Sequence, residues 1–180
     1  MLILIWQYFV IFTLMIIMLY FIYVLFNVLV KNHAPFISTR KSIIEKIIKE
    51  IDIKQDAVVL EIGCGEAKFL RALRQFFPKA QLIGLEFYIW PLLIAKLKNK
   101  IHKSKLELVK TDFLKYDFSK ADLLYCFLNV GVMKTLEPKI IKECRLGTKV
   151  ISYSFLLPNK KPDKVIEVSG IGEKVYFYTI

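Results

Sequence analysis

Apolar positions follow three different rhythms along this chain. From Met1 to Val30 they run almost unbroken, with no charged side chain and only Gln7, Thr13, Asn27 and a few tyrosines as polar breaks. A helix needs about 20 apolar residues to cross a hydrocarbon core, and this run supplies more. A cleaved signal peptide would show a basic start, a shorter apolar core and a small-residue cleavage pattern; Met1 is instead followed by Leu2-Ile3-Leu4-Ile5. A core helix is rarely apolar all round at this length. Residues 1–30 are therefore expected to form one transmembrane helix. Residues 31–39 read as a linker, broken by Pro35 and Ser38.

The second rhythm is helical. Ile43, Ile44, Ile47, Ile48 and Ile51 recur with Lys and Glu between them, predicting an amphipathic helix over Arg40–Ile51 capped by Ser38 or Thr39. The third alternates short apolar runs with further helices. Ala57–Ile62 is a continuous apolar run of strand length, as expected for a strand buried on both faces. Glu66–Phe77 sets Ala67, Leu70, Leu73 and Phe77 against Lys68, Arg71 and Arg74, and Pro78 ends it. Strands follow at Ala80–Leu85, Leu106–Val109, Ala121–Leu128 and Lys149–Phe155, with helices at Ile89–Asn99 and Val132–Glu143. Val165–Val168 and Lys174–Thr179 then come without a helix between them, joined around Gly170–Gly172. Alternating βα units imply an α/β fold with a mostly parallel sheet and right-handed crossovers; the closing pair predicts an antiparallel last strand. Residues 40–180 are thus expected to be one Rossmann-like domain, behind one N-terminal span.

Charge adds an orientation. The formal net charge is +11, all of it after residue 30, and Lys31, Arg40, Lys41, Lys46 and Lys49 lie just beyond the apolar run. The positive-inside rule then puts the domain on the cytoplasmic side of a single-pass membrane anchor. Three cysteines, Cys64, Cys126 and Cys144, include no CxxC pair. They fit a reducing compartment and give no zinc pattern; no metal is expected. His33 and His102 stand in polar surroundings and read as surface residues.

The chemistry concentrates where strands turn into helices. Glu61-Ile-Gly-Cys-Gly65 closes the first strand and opens a helix; Gly63, Cys64 and Gly65 let a ligand approach the backbone where a β-carbon would obstruct it. The third glycine of a dinucleotide fingerprint is replaced by Lys68, and Glu61 would repel a pyrophosphate. A ligand carrying a sulfonium and an ammonium group suits it better. Gly84-Leu-Glu86 ends the second strand, 25 residues beyond Glu61, where a carboxylate commonly accepts from both ribose hydroxyls of an adenosine. Thr111-Asp112-Phe113 follows the third strand. Asp112 is placed to accept from an adenine amino group while Phe113 packs on the ring, or else Asp112 caps a turn.

The order E-x-G-x-G, G-x-E, T-D-F and an apolar strand ending in Asn129 resembles the class I S-adenosylmethionine-dependent methyltransferases across the whole soluble domain. More narrowly, the chain resembles the small membrane-anchored protein-lysine methyltransferases. That group includes the enzymes modifying the adenine nucleotide translocase and the ATP synthase c subunit, and prokaryotic relatives. Shared features are the apolar N-terminus, Glu66 after the glycine loop, Glu86 with Trp90 four positions on, Cys126-Phe-Leu128, and Lys149-Val-Ile-Ser-Tyr-Ser-Phe155. Ala67 replaces a frequent second glycine, and Asn129-Val130 stands where an aromatic or apolar residue followed by proline is expected.

The resemblance implies S-adenosylmethionine as cofactor and N-methylation of a lysine in a membrane protein. Asn129 is the candidate catalytic residue, since an amide oxygen orients an amine without holding it charged; otherwise it caps the helix beginning near Val132. Tyr125 and Cys126 read as strand packing. Lys96, Lys98, Lys100, Lys103 and Lys105 form one basic cluster and Lys160, Lys161 and Lys164 another, suited to an anionic lipid surface. Nucleic acid is the other partner a charge of +11 allows, but little chain remains for a recognition domain. Methylation of a lipid headgroup, a small molecule or RNA, and a non-enzymatic membrane-bound module, remain the alternative functions. Oligomeric state is not encoded in any pattern found.

Overall fold

The computed structural model describes residues 2–29, 38–170 and 172–180. The chain divides into two compact units, one within residues 1–35 and one within 36–180. Most of the expected linker, including His33, lies outside the described residues. In the first unit, α1 (Leu2–Leu29) is one helix of 28 residues. At 1.5 Å per residue it is about 42 Å long, longer than the ~30 Å of a hydrocarbon core. Its stretch Leu2–Phe26 has the length and composition of a membrane span and buries none of its surface within the protein.

The second unit is built on a seven-stranded sheet in the order β3-β2-β1-β4-β5-β7-β6. The strands are β1 (Val58–Ile62), β2 (Gln81–Glu86), β3 (Glu107–Lys110), β4 (Leu123–Cys126), β5 (Lys149–Tyr153), β6 (Lys164–Glu167) and β7 (Lys174–Thr179). The first five pair in parallel, whereas β7 lies antiparallel between β5 and β6. This is the mostly parallel α/β arrangement the βα rhythm predicts. Continuous apolar runs become the central strands, as burial on both faces requires: all four residues of β4 are buried, as is β1 beyond Val58.

Helices α2 (Lys41–Lys49), α3 (Lys68–Leu73), α4 (Ile89–Ile101) and α5 (Val130–Glu143) cover the sheet. In α2 the four isoleucines 43, 44, 47 and 48 are buried, and the helix is tied to the far strands: Lys46 Nζ donates to the Val168 carbonyl at 2.8 Å, and Arg40 pairs with Glu173. The expected Ser38 or Thr39 cap is absent. Arg40 occupies the N-cap without a side-chain capping bond, and Thr39 Oγ1 is instead 3.0 Å from the buried Tyr125 hydroxyl. That hydroxyl, deep under the sheet, needs a partner more than an exposed helix end does.

Helix α3 is shorter than the Glu66–Phe77 the sequence predicts. At its start the glycine loop continues through Ala67, which is left-handed (φ 54, ψ 40). Beyond its end, the Arg74 guanidinium gathers the carbonyls of Pro78, Ala80 and Ser104 at 2.8–2.9 Å, which holds the turn leading into β2.

Candidate active site

In a parallel sheet of this kind ligands bind beyond the carboxyl ends of the strands, at the point where strand order reverses. That point is β1, flanked by β2 on one side and β4 on the other. The loop Glu61–Gly65 leaves β1 there. Gly63 has φ +69, and a β-carbon on it would stand 2.9 Å from Leu128 Cδ2, so only glycine fits this turn without strain. The Gly63 and Cys64 N–H groups both donate to the Leu85 carbonyl at 2.9 Å, which folds the loop over the end of β2. Gly84 completes the fit: a β-carbon there would meet Cys64 Sγ at 2.8 Å and Leu108 Cδ2 at 2.9 Å.

Two carboxylates define the electrostatics. Glu86 is 6% exposed; its Oε2 accepts from the Gly65 N–H and its Oε1 from the Tyr88 N–H, each at 2.8 Å. One side chain thereby fixes both the glycine loop and the entry to α4. Burial raises its pKa, against the opposing effect of these N–H groups. Glu61 is equally buried, and its Oε2 has no hydrogen-bond partner among the described residues. Desolvation pushes its pKa well above the usual carboxylate value; the Leu70 N–H and the Arg71 charge lower it, and Glu86 adds to the rise. Such an oxygen is costly to bury ionised unless a cation meets it. Arg71 itself donates to the Glu66 carbonyl, and Lys98 pairs with the Glu66 side chain, so the loop's outer side is neutralised.

Cys64 belongs to the loop as packing. Burial first, then the charges of Glu61 and Glu86, hold its thiol well above the usual pKa, which keeps it protonated and unreactive. Cys126, in β4, is likewise pushed up to about 12 by burial. Tyr125 stacks on Phe69 at 3.8 Å between ring centroids. Both residues are strand packing, as the sequence implied.

The remaining candidates stand at the same edge. Thr111 N–H donates to the Glu86 carbonyl at 3.0 Å, fastening the T-D-F segment to β2. Asp112 caps a single 3-10 turn (Phe113–Lys115), its Oδ1 accepting from the Leu114 N–H at 3.0 Å, and Phe113 is half-buried beside it. Asn129 is the N-cap of α5, with Oδ1 accepting from the Val132 N–H at 2.8 Å.

Three elements of the site carry no signal in the sequence. Left-handed Ala67 and the Tyr88 N–H bound to Glu86 are set by the backbone, and the Leu128 side chain that packs over Gly63 looks in the sequence like any other strand leucine. Glu137 is a fourth. This α5 carboxylate is 4% exposed and accepts from the backbone N–H groups of Asn159 and Lys160 and from Asn159 Nδ2, at 2.8–3.1 Å. It thereby anchors the segment that follows β5. No group of His, Cys, Asp or Glu able to hold a metal occurs among the described residues.

Known proteins share this fold. A protein-lysine N-methyltransferase of Saccharolobus islandicus (strain REY15A) is 26% identical over 152 residues, covering 82% of this chain and 94% of that protein. The crystal structure of an RNA methyltransferase from Salinibacter ruber with S-adenosyl-L-homocysteine superposes with a TM-score of 0.74 at 22% identity, over 80% of this chain and 94% of the other. A ribosomal protein L11 methylase from Lactobacillus delbrueckii subsp. bulgaricus follows at TM-score 0.63 and 15% identity, over 76% and 77%. The model of the ANTKMT methyltransferase domain matches residues 61–164, from the first carboxylate of the site to β6. This chain belongs to the ANTKMT methyltransferase domain family and carries the class I S-adenosylmethionine-dependent methyltransferase fold.

Proposed function

We propose that this methyltransferase is tethered to a membrane by α1 and N-methylates a lysine of a membrane protein, with its domain on the cytoplasmic side. The observation that carries the cofactor half is the buried Glu61 oxygen without a partner, at the switch point, beside a turn that only glycine fits. S-adenosylmethionine brings an ammonium and a sulfonium to that edge and supplies an electrophilic methyl group. Glu61 would hold the cationic end, and the loop backbone at Gly63, Cys64 and Gly65 would line the approach. Glu86, fixed at the end of β2 by backbone N–H groups, would take the ribose hydroxyls. Asp112 and Phe113 would hold the adenine.

Methyl transfer is an in-line displacement, so the protein mainly positions the acceptor. A lysine must first lose its proton, and an apolar, desolvated mouth favours the neutral amine. Leu114, Val130 and Leu156, each in a segment that follows a strand's carboxyl end, are exposed apolar residues and would give the mouth that character. The Asn129 amide, at the N-cap of α5, would orient the amine. The 26% identical relative, itself a protein-lysine N-methyltransferase, favours the same acceptor. A tether raises the local concentration of substrates in the same membrane.

The test is transfer of a radiolabelled methyl group into native membranes, with products separated into protein, lipid and RNA. Label released as methyl-lysine on acid hydrolysis of a membrane protein is expected. Label confined to lipid or RNA overturns the acceptor, and no label in any fraction overturns the activity.

A further inference from the structure

Helix α4 is apolar on two opposite sides. Pro91, Leu92 and Ala95 face the sheet and are buried. At about 100° per residue, Trp90, Leu93, Ile94, Leu97 and Ile101 fall in an arc about 100° wide, centred roughly opposite that buried side. All five are exposed, Leu97 by 60% and Ile101 by 64%. An ordinary covering helix presents charge there. In α4 the charge is displaced to the flanks, with Lys96 and Lys100 on one margin and Lys98 on the other. The helix is 13 residues long, so this strip runs about 20 Å.

An apolar strip edged by lysines and carrying a tryptophan is the pattern of a helix lying in a lipid interface. We propose that the outward face of α4 docks on an anionic bilayer surface, holding the methyltransferase domain in one orientation against the membrane. The inference rests on the tether proposed for α1 and deepens it: the span supplies attachment, and α4 supplies orientation. Charge complementarity selects the occupant. A second copy of this chain would bring Lys96 and Lys100 against their own like, whereas anionic headgroups neutralise them. An interfacial face of modest area binds weakly alone, but short chain continuity with a span makes its docking an intramolecular event.

The chain holds two tryptophans, Trp6 in α1 and Trp90 in α4, so a Trp6→Phe chain reports on α4 alone. The full-length variant is reconstituted into vesicles of phosphatidylcholine, with or without phosphatidylglycerol, containing brominated acyl chains. Docking predicts blue-shifted, bromine-quenched Trp90 emission in the anionic vesicles. Added Leu97→Glu and Ile101→Glu substitutions, both at exposed positions, abolish the quenching while leaving the circular dichroism unchanged. Lys96→Gln and Lys100→Gln each weaken docking about fivefold.

A chain that floats with the vesicles but keeps an unquenched Trp90 overturns the docking and leaves the tether standing. A chain that stays behind on flotation overturns both. Trp90 shielded from acrylamide but not reached by bromine, with a crosslinked dimer, assigns the face to self-association and also overturns the proposal.

Discussion

Replacing Gly84 by alanine tests how the glycine loop is seated. The new β-carbon would stand 2.8 Å from Cys64 Sγ, 3.1 Å from Cys64 Cβ and 2.9 Å from Leu108 Cδ2. Leu108 is partly buried and its methyl can swing; Cys64 is 5% exposed and cannot leave its place without moving the loop. Overpacking of this kind costs about 1–3 kcal/mol. Alanine recovers about 0.4–1 kcal/mol by restricting the unfolded chain, which leaves a net loss of about 1–2 kcal/mol. A domain near 150 residues shows this as a fall of roughly 3–6 °C in Tm. Cys64→Ala removes the closest contact, so the double variant should be more stable than the sum of the singles by about 1 kcal/mol. Thermal unfolding of the four full-length proteins in the same detergent measures that coupling. Singles that add within about 0.3–0.5 kcal/mol would refute the claim that Gly84 exists to seat Cys64.

Other outcomes follow from the site. Glu61 and Glu86 have raised pKa values in the folded chain, so the stability they contribute is present below the unfolded value of 4.5 and is lost as pH rises through their folded values. Glu61→Gln should therefore raise the melting temperature of the ligand-free protein at pH 8, with the advantage fading toward pH 4.5, while calorimetry shows weaker S-adenosylhomocysteine binding; equal shifts at both pH values would count against a buried carboxylate. Glu86→Ala frees two buried N–H groups at about 1–3 kcal/mol each and should lower affinity for S-adenosylhomocysteine, and a variant binding as tightly as wild type removes the ribose assignment. Asn129→Ala loses the α5 cap at about 1 kcal/mol, whereas Asn129→Ser keeps it; if Ser restores Tm but not kcat, Asn129 acts on the substrate. Glu137→Ala should cost about 1–3 kcal/mol and speed amide exchange at Asn159 and Lys160, and unchanged exchange there would mean the clamp is idle.

Much of the architecture is legible in the sequence because burial imposes it. Val58–Ile62, apolar but for Glu61, and Leu123–Cys126 read as strands because short apolar runs fit a buried sheet, and the isoleucines of α2 trace one face at helical spacing. Gly63 and Gly65 are legible because their left-handed turn favours that residue type, and Glu61 and Glu86 because a carboxylate stands out at the end of an apolar strand. What escapes is what the backbone decides. Ala67 takes a left-handed conformation with no glycine to announce it, which delays α3. Thr39 looks like a cap and serves a buried tyrosine 86 residues away. The exposed side of α4 is invisible to periodicity, since a helix apolar on two opposite sides does not reveal which of them faces the sheet.

The placement of β7 between β5 and β6 has a consequence for how the chain is made. Synthesis delivers α1 first, so the segment that would enter a membrane is complete before the sheet is. The parallel core β3-β2-β1-β4-β5 can then form, but β5 keeps an open edge until Lys174–Thr179 arrive. β6, made earlier, pairs only with β7 and has no place to go in the interval. An open edge is a template for pairing with other chains, and late, non-local strand pairing is slow. A nascent chain of this design therefore carries an adhesive flank until β7 emerges, and chaperone demand should peak in that interval.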